Sequence, residues 1–398
     1  MADGEMHSLE QALSALLAGV MPLGVESVAL AEAGGRVLAE TLAAHHDIPP
    51  FDNSAMDGYA LRAADAGQRL RVSQRIQAGQ APTPLEANTC ARIFTGAPLP
   101  EGADCVVMQE RVEPGDSGVS IPGPLAPGQN VRVRGREIEA GAPLVEAGVR
   151  LESAAIGFLA SQGYARVPVY RRPRIALLST GDELKMPGEA LAPGQIYNSN
   201  RFMLGDLLPR FGAEPVMVEH TRDTLEATLD ALERAAACAD VVVTTGGVSV
   251  GEADHVREAL ERLGKLDLWR LAIHPGKPLA LGRIGKARFV GLAGNPVSSF
   301  VGAWLFLRPL LGALQGAQDR QALASITARA DFETDTAGRT HYMRVTLQHQ
   351  SGEYRACAFP DQDSSILRSC VGADALAVIA PNKAIRPGDQ ITCLLLLP

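Results

Sequence analysis

The chain has 398 residues, of which 46% are hydrophobic and 21% are charged, with a formal net charge of −8 at pH 7. This length predicts about two to four domains, and the apolar fraction suffices for hydrophobic cores, which excludes an intrinsically disordered protein. The excess of acidic residues argues against partners such as nucleic acids or an anionic membrane surface.

The six cysteines lie far apart and form no Cys-x-x-Cys pair, so neither a zinc site nor a disulfide framework is indicated. The N-terminal residues lack the basic and apolar regions of a signal peptide. No apolar run approaches the roughly 18 residues of a membrane-spanning helix. We therefore expect a soluble, cytoplasmic protein with buried free thiols.

The two ends of the N-terminal half show helical patterns. Ser8 is a typical N-cap for a first helix, which has a leucine-rich face and is predicted to end at Gly19. Further helices are expected over Leu30–Thr41 and Ser153–Gln162. We expect these two parts to pack together as one discontinuous, elongated domain.

Between these parts, short β-prone runs alternate with turn clusters, which indicates a compact β-rich insert. Strands are expected at Ala91–Phe94, Asp104–Gln109 and Val131–Arg134. The Asp57-Gly58 dipeptide in this insert is typical of a hairpin turn, and that interpretation competes with a functional role for Asp57.

Apolar strands alternate with amphipathic helices in the next part, which predicts a parallel sheet covered on both faces. The predicted strands are Arg174–Ser179, Pro215–Glu219, Asp240–Thr245 and Arg288–Leu292. The predicted helices are Asn200–Phe211, Thr224–Ala237, Asp254–Leu263 and Pro296–Leu311. In such a sheet, ligands bind beyond the carboxyl ends of the strands.

The last part is rich in β-prone runs and predicts a small β-barrel. Its strands are expected at Tyr342–Gln348, Tyr354–Phe359, Ala375–Ile379 and Gln390–Leu396. The predicted fold class is thus multidomain α/β and β, with an elongated domain, an insert, an α/β domain and a barrel. The predicted domain bounds are 1–50 with 138–171, then 51–137, 172–318 and 319–398.

Loops that follow the predicted α/β strands carry residues suited to binding charged ligands. Gly246 and Gly247 allow backbone N–H groups to approach an anion, while a plain turn with Asp254 as helix N-cap is the structural alternative. Asp182 and Glu183 form a carboxylate pair that can hold Mg²⁺ beside substrate phosphates, and a solvated turn is the competing interpretation.

Three further positions lie in such loops. Lys277 stands between two prolines and is either a fixed anion contact or a solvated lysine in a tight turn. Pro296 suits the first turn of a helix, whose N-terminus would meet the same rim. Asp223 is interpreted first as a helix N-cap, with Glu226 completing a capping box.

Six motifs occur in a specific order along the chain. They are Asn53–Ala60, Thr95–Pro100, Ser179–Leu184, Thr245–Gly251, Pro275–Pro278 and Gly294–Ser298. Together they closely resemble the molybdopterin molybdenumtransferase family, which includes MoeA and the gephyrin E domain. The resemblance spans residues 5–398.

The resemblance implies a fold, a reaction and an assembly. Family members have the four domains predicted above and insert molybdate into adenylylated molybdopterin with release of AMP, using Mg²⁺. They are elongated homodimers, in which the cleft lies between the α/β domain of one subunit and the β-rich insert of the other. Molybdopterin adenylyltransferase and molybdoenzyme maturation proteins are the further partners that the resemblance implies.

The resemblance also carries roles onto individual residues of this chain. The expected catalytic residues are Asp57, Glu183, Asp223 and Asp254, and the expected metal ligands are Asp182, Glu183 and Asp254. The expected substrate-binding residues are Thr95, Gly246, Gly247, Ser249, Gly251, Arg270, His274, Gly276, Lys277, Asn295, Pro296 and Ser298.

Several positions depart from the family pattern. Glu137 stands where an aspartate is expected, His274 and Arg270 stand where lysines are usual, and Ala293 replaces a proline. Because the ordinary pKa of histidine is about 6.5, His274 would make oxyanion binding dependent on pH. The departures leave open a divergent paralogue that inserts tungstate, or a non-catalytic molybdopterin-binding scaffold. The adenylylating step is a closer rival, based on the α/β domain alone.

Overall fold

A computed structural model defines the fold of the chain. It describes residues 6–247, 255–318, 323–350 and 352–397. The first helix, Leu9–Leu17, begins after Ser8 as predicted. The Ser8 hydroxyl accepts a hydrogen bond from the Gln11 N–H at 3.2 Å, and the Gln11 side chain accepts one from the Ser8 N–H at 2.8 Å. This capping box satisfies N–H groups that have no partner within the helix.

The two ends of the N-terminal half pair with each other. The strand Val25–Ala29 runs antiparallel to Arg166–Tyr170, and Leu42–Ala43 runs antiparallel to Pro143–Val145. The predicted third helix forms over Ser153–Ser161 and packs into the same hydrophobic core. Segments far apart in sequence therefore bury one another's apolar side chains.

The helix predicted over Leu30–Thr41 is wrong. Only the 3₁₀ turn Leu30–Glu32 forms, and the following residues make isolated bridges to other segments. Gly35 has a φ of +71°, which lies in the left-handed region and interrupts a right-handed helix.

The β-rich insert contains a six-stranded sheet. In spatial order its strands are Cys105–Met108, Gly58–Leu61, Thr89–Ile93, Arg69–Ile76, Gly118–Ser120 and Glu113–Gly115. A separate antiparallel pair joins Asn53–Ser54 to Val131–Arg132. The three strands predicted here are present with slightly different bounds, and the sequence patterns missed Gly58–Leu61 and Arg69–Ile76.

The hairpin turn suggested by Asp57-Gly58 does not form. Gly58 instead begins a strand that pairs with both Cys105–Met108 and Thr89–Ile93. A Cβ atom at Gly58 would lie 1.9 Å from the Val107 carbonyl oxygen. The close approach of two backbones, rather than a turn, therefore requires this glycine.

The α/β part is built on a six-stranded central sheet. In spatial order its strands are Glu214–Thr221, Arg174–Thr180, Val241–Thr245, Ala287–Leu292, Pro278–Ile284 and Gly264–Arg270. The first four are parallel and correspond to the four predicted strands. The last two are antiparallel and were not predicted, so the sheet is mixed at one edge.

Helices cover both faces of the central sheet. They are Ser199–Arg210, Leu225–Cys238, His255–Leu263 and a continuous helical run made of Pro296–Gly302, the π-helical turn Ala303–Leu307 and Arg308–Leu314. The capping box predicted from Asp223 is wrong, because the Thr224 hydroxyl accepts the capping bond from the Ala227 N–H at 3.4 Å. The N-cap role suggested for Asp254 lies outside the described residues.

The helical run 296–314 is long and apolar enough to cross a membrane, contrary to the expectation from the sequence. Of its most apolar stretch of 18 residues, 89% is buried within the protein, as in a core helix. Its side chains, among them Val301, Phe306 and Leu310, pack against the central sheet and the helix Leu9–Leu17. Length and composition alone therefore do not make this helix a membrane span.

The C-terminal part forms the predicted barrel, closed by five strands. They are Ser325–Ala330, Thr340–Gln350, Glu353–Ala358, Ala375–Ile379 and Gln390–Leu395. The barrel closes because Thr340–Gln350 pairs with Glu353–Ala358 on one side and with Ala375–Ile379 on the other. Ser325–Ala330 and Gln390–Leu395 pair with each other and with these two strands to complete the ring. Small two-stranded pairs elsewhere join Leu184–Lys185 to Ile196–Tyr197, and Thr334–Asp335 to Ala384–Ile385.

All six cysteines are free thiols, as expected, but only Cys90, Cys105 and Cys393 are buried, while the other three are partly exposed. Burial raises the pKa of Cys90 and Cys393 to about 11, so both stay protonated near neutral pH. A protonated, buried thiol is a poor nucleophile and a poor metal ligand.

Replacing Gly58 with alanine should destabilise the insert. The added methyl group would overlap the Val107 carbonyl, and overpacking of this kind costs roughly 1–3 kcal/mol. Gly24→Ala is the matched control, because a Cβ there meets nothing within 4 Å. The difference in the free energy of unfolding is measured in urea, with hydrogen exchange of the amides in the insert strands as the probe. Equal stability of the two variants would contradict the packing described for Gly58.

Candidate active site

A cavity of about 670 Å³ lies at the carboxyl ends of the central-sheet strands. Loops that follow Arg174–Thr180, Val241–Thr245 and Ala287–Leu292 line it, together with the segment 274–278 and residues of the barrel. Open α/β sheets bind ligands in this position, because the loops after parallel strands meet at one edge. The cavity therefore lies where the sequence predicts a site.

The glycine-rich loop adopts the backbone conformation that its sequence suggests. Gly246 and Gly247 have φ values of +88° and +65°, and both line the cavity. A Cβ atom at Gly247 would lie 2.4 Å from a methyl carbon of Val256. Only glycine fits here without displacing the next helix. The predicted Ser249, Gly251 and Asp254 lie outside the described residues.

Asp182 and Glu183, in the loop after the strand Arg174–Thr180, have different surroundings. Glu183 lines the cavity. Asp182 does not line it, and its Oδ1 accepts a hydrogen bond from the Asp223 N–H at 3.1 Å. Asp223 therefore lies beside Asp182 rather than at the cavity wall. Among the described residues, no three Asp, Glu, His or Cys side chains come together as a metal site.

The segment His274–Pro278 lies along the cavity wall. His274, Gly276 and Lys277 all line the cavity, and the Lys277 carbonyl accepts a hydrogen bond from the Leu271 N–H at 2.8 Å. Arg270 does not line the cavity. It ends the edge strand Gly264–Arg270, where its carbonyl accepts a hydrogen bond from the His7 N–H at 2.8 Å.

His274 connects the α/β part to the barrel. Ile273 and His274 pair in parallel with Thr340 and His341, and the two imidazole rings lie 4.6 Å apart at 33°. Burial lowers the pKa of His274, and the positive charges of Arg339 and Arg344 lower it further. His274 is therefore neutral near pH 7 and does not replace the fixed charge of a lysine.

The N-terminus of the helix at Pro296 meets a loop of the barrel. The Asn295 side-chain amide donates a hydrogen bond to the Ser364 hydroxyl at 2.9 Å, and the Val297 N–H donates one to the Ser364 carbonyl at 3.2 Å. Asn295, Pro296 and Ser298 line the cavity as predicted. This contact places Ser364 in the cavity wall.

Several lining residues were missed by the sequence patterns. They are Tyr197, Asn198, Asn200, Arg339, Ser364 and Ser365. Asn200 holds the adjoining loop, because its side-chain amide donates a hydrogen bond to the Gly294 carbonyl at 2.7 Å. Arg339 and Ser364 come from the barrel. Asn198 precedes a predicted helix as a typical N-cap residue, which is the one local signal among them.

Buried hydrogen bonds hold the barrel loop that carries Ser364. The Arg344 side chain is 1% exposed and donates to the Ser369 hydroxyl at 2.9 Å and to the Asp363 carbonyl at 3.2 Å. The Gln362 side chain accepts from the Arg344 N–H at 3.0 Å and donates to the Arg344 carbonyl at 3.1 Å. The loop is thus tied to the barrel strand on both sides of Asp363.

Asp57 and Thr95 come together in the insert, apart from this cavity. Asp57 Oδ1 accepts hydrogen bonds from the Thr95 N–H and hydroxyl, both at 2.8 Å. The Thr95 N–H holds the pKa of the Asp57 carboxyl below its usual range, and the hydroxyl adds to the effect. Neither residue lines the cavity of its own chain.

Replacing Gln362 with alanine should loosen the loop that carries Ser364. The variant loses three hydrogen bonds, each worth about 0.5–1.5 kcal/mol. The Val297 amide, which is bonded to the Ser364 carbonyl, should then exchange with solvent about tenfold faster. Gln348→Ala, an exposed position on the strand Thr340–Gln350, is the control. Unchanged exchange at Val297 would show that Gln362 does not hold the loop.

Comparisons with known proteins identify the domains. The model of the MoeA N-terminal region (domains I and II) matches residues 7–163, that of the probable molybdopterin-binding domain matches 176–313, and that of the MoeA C-terminal region (domain IV) matches 327–396. These three matches account for all four parts of the fold.

Whole-chain relatives agree with the domain matches. The chain is 36% identical to the molybdopterin molybdenumtransferase of Haemophilus influenzae, over 97% of this chain and 98% of that protein. It is 39% identical to that of Synechococcus elongatus, over 94% and 95% of the two chains. A crystal structure of the molybdopterin biosynthesis MoeA protein of Pyrococcus horikoshii has a TM-score of 0.83 and 32% identity, covering 99% of this chain and all of that one.

Similarity over the full length, rather than over the α/β domain alone, separates the chain from proteins that share only that domain. The cavity at the carboxyl ends of the central sheet and the closed barrel fit the same assignment. The chain therefore belongs to the molybdopterin molybdenumtransferase family and is an enzyme of molybdenum cofactor biosynthesis.

Proposed function

We propose that this chain inserts molybdate into adenylylated molybdopterin with release of AMP. The observation that carries the proposal is one cavity in which a glycine-rich loop, a lysine and a carboxylate converge. The substrate contains a pyrophosphate link, and cleavage of such a link depends mainly on positioning and on neutralising charge. The six free thiols fit the reducing cytoplasm, where we place the reaction.

The pyrophosphate group would lie between the glycine-rich loop and Lys277. Gly246 and Gly247 both line the cavity and carry no side chain, so phosphate oxygens can approach this backbone closely, although the Gly246 N–H itself donates to the Leu292 carbonyl at 3.2 Å. Lys277 supplies a point charge from a segment held by prolines on both sides. Together these groups would fix the phosphates while the bond between them breaks.

Molybdate would lie on the side of the cavity that faces the barrel. The cavity wall there offers the Arg339 guanidinium together with the hydroxyls of Ser298 and Ser364. An oxyanion accepts hydrogen bonds from these groups, and Arg339 neutralises part of its charge. His274 would bind the oxyanion as a neutral hydrogen-bond donor near pH 7.

The donor set suits magnesium bound jointly by protein and substrate. Mg²⁺ takes oxygen ligands and usually binds through one or two carboxylates plus substrate phosphates. Among the residues that the structure describes, Glu183 is the one carboxylate residue that lines the cavity. It would hold the cation together with phosphate oxygens. Asp182 fits this role less well, since it bonds to the Asp223 N–H. The cation would neutralise charge on the pyrophosphate.

A second copy of the chain would complete the site with Asp57. Asp57 and Thr95 do not line the cavity of their own chain, and the same insert exposes the apolar side chains of Phe51 (43%), Met56 (41%) and Val133 (55%). The wall of the cavity exposes Ile196 (55%) and Tyr197 (45%). Burial of these side chains against each other would favour a homodimer that brings the insert over the cavity.

The bonds from Thr95 would keep Asp57 ionised and correctly oriented. An ionised carboxylate accepts hydrogen bonds, so Asp57 would orient the group that attacks the phosphate rather than donate a proton. Asp223 would act indirectly and through its backbone, because its N–H holds Asp182 in the loop that carries Glu183. A scaffold protein would not need the charged side chains of Glu183, Lys277 and Arg339 in one cavity.

Purified chain should release AMP from adenylylated molybdopterin only when Mg²⁺ and molybdate are both present. Lys277→Ala and Asp57→Ala should each lower the rate at least about a hundredfold, since each removes a charged group that stabilises the transition state. Lys286→Ala, an exposed lysine in a turn, is the control and should retain the rate. A parallel arm with tungstate distinguishes the two oxyanions.

Release of AMP that requires tungstate and does not occur with molybdate would identify a tungsten-inserting paralogue. Binding of adenylylated molybdopterin without any AMP release would indicate a scaffold that keeps the fold and lacks the reaction. Either result would contradict the proposed function.

Molybdate affinity should weaken as pH rises through the pKa of His274. Burial and the neighbouring arginines place this transition below the ordinary histidine range, so the affinity should be level above about pH 7. His274→Lys should bind molybdate about tenfold more tightly at pH 7.5, because it restores a charge-assisted bond. Isothermal titration from pH 5.5 to 8 measures both effects. His274→Gln, which cannot take up a proton, should give a flat profile, and a flat profile in the unmodified chain would refute the role of His274.

A further inference from the structure

A second cavity, of about 350 Å³, lies where the N-terminal core meets the α/β part. It shares no lining residue with the candidate active site. Four arginines and one glutamate supply its charged groups: Arg150, Arg172, Arg210, Arg308 and Glu152. The cavity thus has a formal excess of three positive charges in a chain whose net charge is −8.

Ion pairs within the chain account for only part of this charge. Arg210 pairs with Asp206 at 2.9 Å across one helical turn. The Arg150 guanidinium donates to the Gly35 carbonyl at 2.8 Å, a bond that leaves its charge unneutralised. Within the described parts of the chain, neither Arg150 nor Arg172 forms an ion pair with a carboxylate.

Stabilisation of a helix end does not explain the whole set. Arg210 lies in the last turn of the helix Ser199–Arg210, where a positive charge stabilises the helix through the negative end of its dipole. Arg150 and Arg172 come from other segments. Arg150 follows the N-terminal strand pairs and bridges to Val37, and Arg172 precedes the first strand of the central sheet. Segments far apart in sequence therefore contribute arginines to the wall of one cavity.

We propose that this second cavity binds a small phosphorylated molecule. Guanidinium groups form paired hydrogen bonds with phosphate oxygens, and several of them around one space favour a ligand with more than one negative charge. The volume lies within the range of small-molecule sites. Glu152 limits the excess charge and offers an acceptor to a ligand hydroxyl.

A ligand in this cavity would connect two parts of the molecule. Arg150 belongs to the N-terminal core, whereas Arg172, Arg210 and Arg308 adjoin the central sheet and its helices. Binding would therefore stabilise the junction between the two cores. The stabilisation follows from preferential binding to the folded chain and raises the temperature of unfolding.

The test titrates the full chain with inorganic pyrophosphate. Because Lys277 is proposed to bind phosphates in the active site, the titration uses the Lys277→Ala variant as background. In that background, pyrophosphate should bind and raise the unfolding temperature. Adding Arg150→Gln and Arg172→Gln should weaken binding at least tenfold and abolish the thermal shift. Lys286→Ala removes a surface charge elsewhere and should change neither.

Three outcomes would overturn the proposal. They are the absence of pyrophosphate binding in the Lys277→Ala background, equal weakening by Lys286→Ala, and unchanged binding in the double arginine variant. Should the double variant fail to fold, Arg172→Gln alone, at an exposed position, should still weaken binding several-fold. These outcomes do not depend on AMP release, so this proposal and the proposed reaction fail separately.

Discussion

The site depends on one property of a parallel sheet, which is that the loops after its strands meet at the same edge. The strands ending at Thr180, Thr245 and Leu292 deliver a carboxylate, a glycine-rich loop and a helix N-terminus to one cavity. A ligand with several negative charges needs such convergence, because each group alone binds an anion weakly. The barrel adds to the same rim through the pairing of His274 with His341 and the bonds from Asn295 and Val297 to Ser364.

Much of the fold follows from local sequence patterns. The parallel strands Arg174–Thr180, Val241–Thr245 and Ala287–Leu292 are nearly continuous apolar runs because both faces of the sheet are buried there, whereas the edge strand Glu214–Thr221 is mostly half-buried. Ser8 marks the first helix through its capping chemistry. The antiparallel strands Gly264–Arg270 and Pro278–Ile284 were missed. The first is the edge strand and begins directly after a helix, with no turn signal between them, and the second pairs with it on one side and with Ala287–Leu292 on the other. The helix predicted over Leu30–Thr41 failed because a single left-handed glycine outweighed the helical periodicity.

In the candidate site, too, local sequence patterns predict some residues, while contacts between distant segments place the others. Gly246 and Glu183 follow predicted strands in the sequence, so their position at the rim was predictable, whereas Lys277 was picked out by the prolines on either side of it. Arg339 and Ser364 reach the cavity only through contacts between the barrel and the sheet, and no local pattern encodes those contacts. Adjacent residues can also face different ways, as Asp182 and Glu183 do, and their side-chain directions depend on the surrounding loops. Asp57 lies apart from the cavity of its own chain, and no local pattern indicates what it faces.

The central claim is that the cavity of one chain and Asp57 of a second chain form one site. Mixing Asp57→Ala chains with Lys277→Ala chains tests it directly, because a mixed dimer contains one unaltered site. The account predicts that two inactive proteins regain about one quarter of the normal AMP release after subunit exchange, since half of the dimers are mixed and each has one of two sites intact. Mixing Asp57→Ala with Thr95→Val, which alters the insert in both chains, should restore nothing. No recovery in the first mixture, with mixed dimers present, would contradict the account.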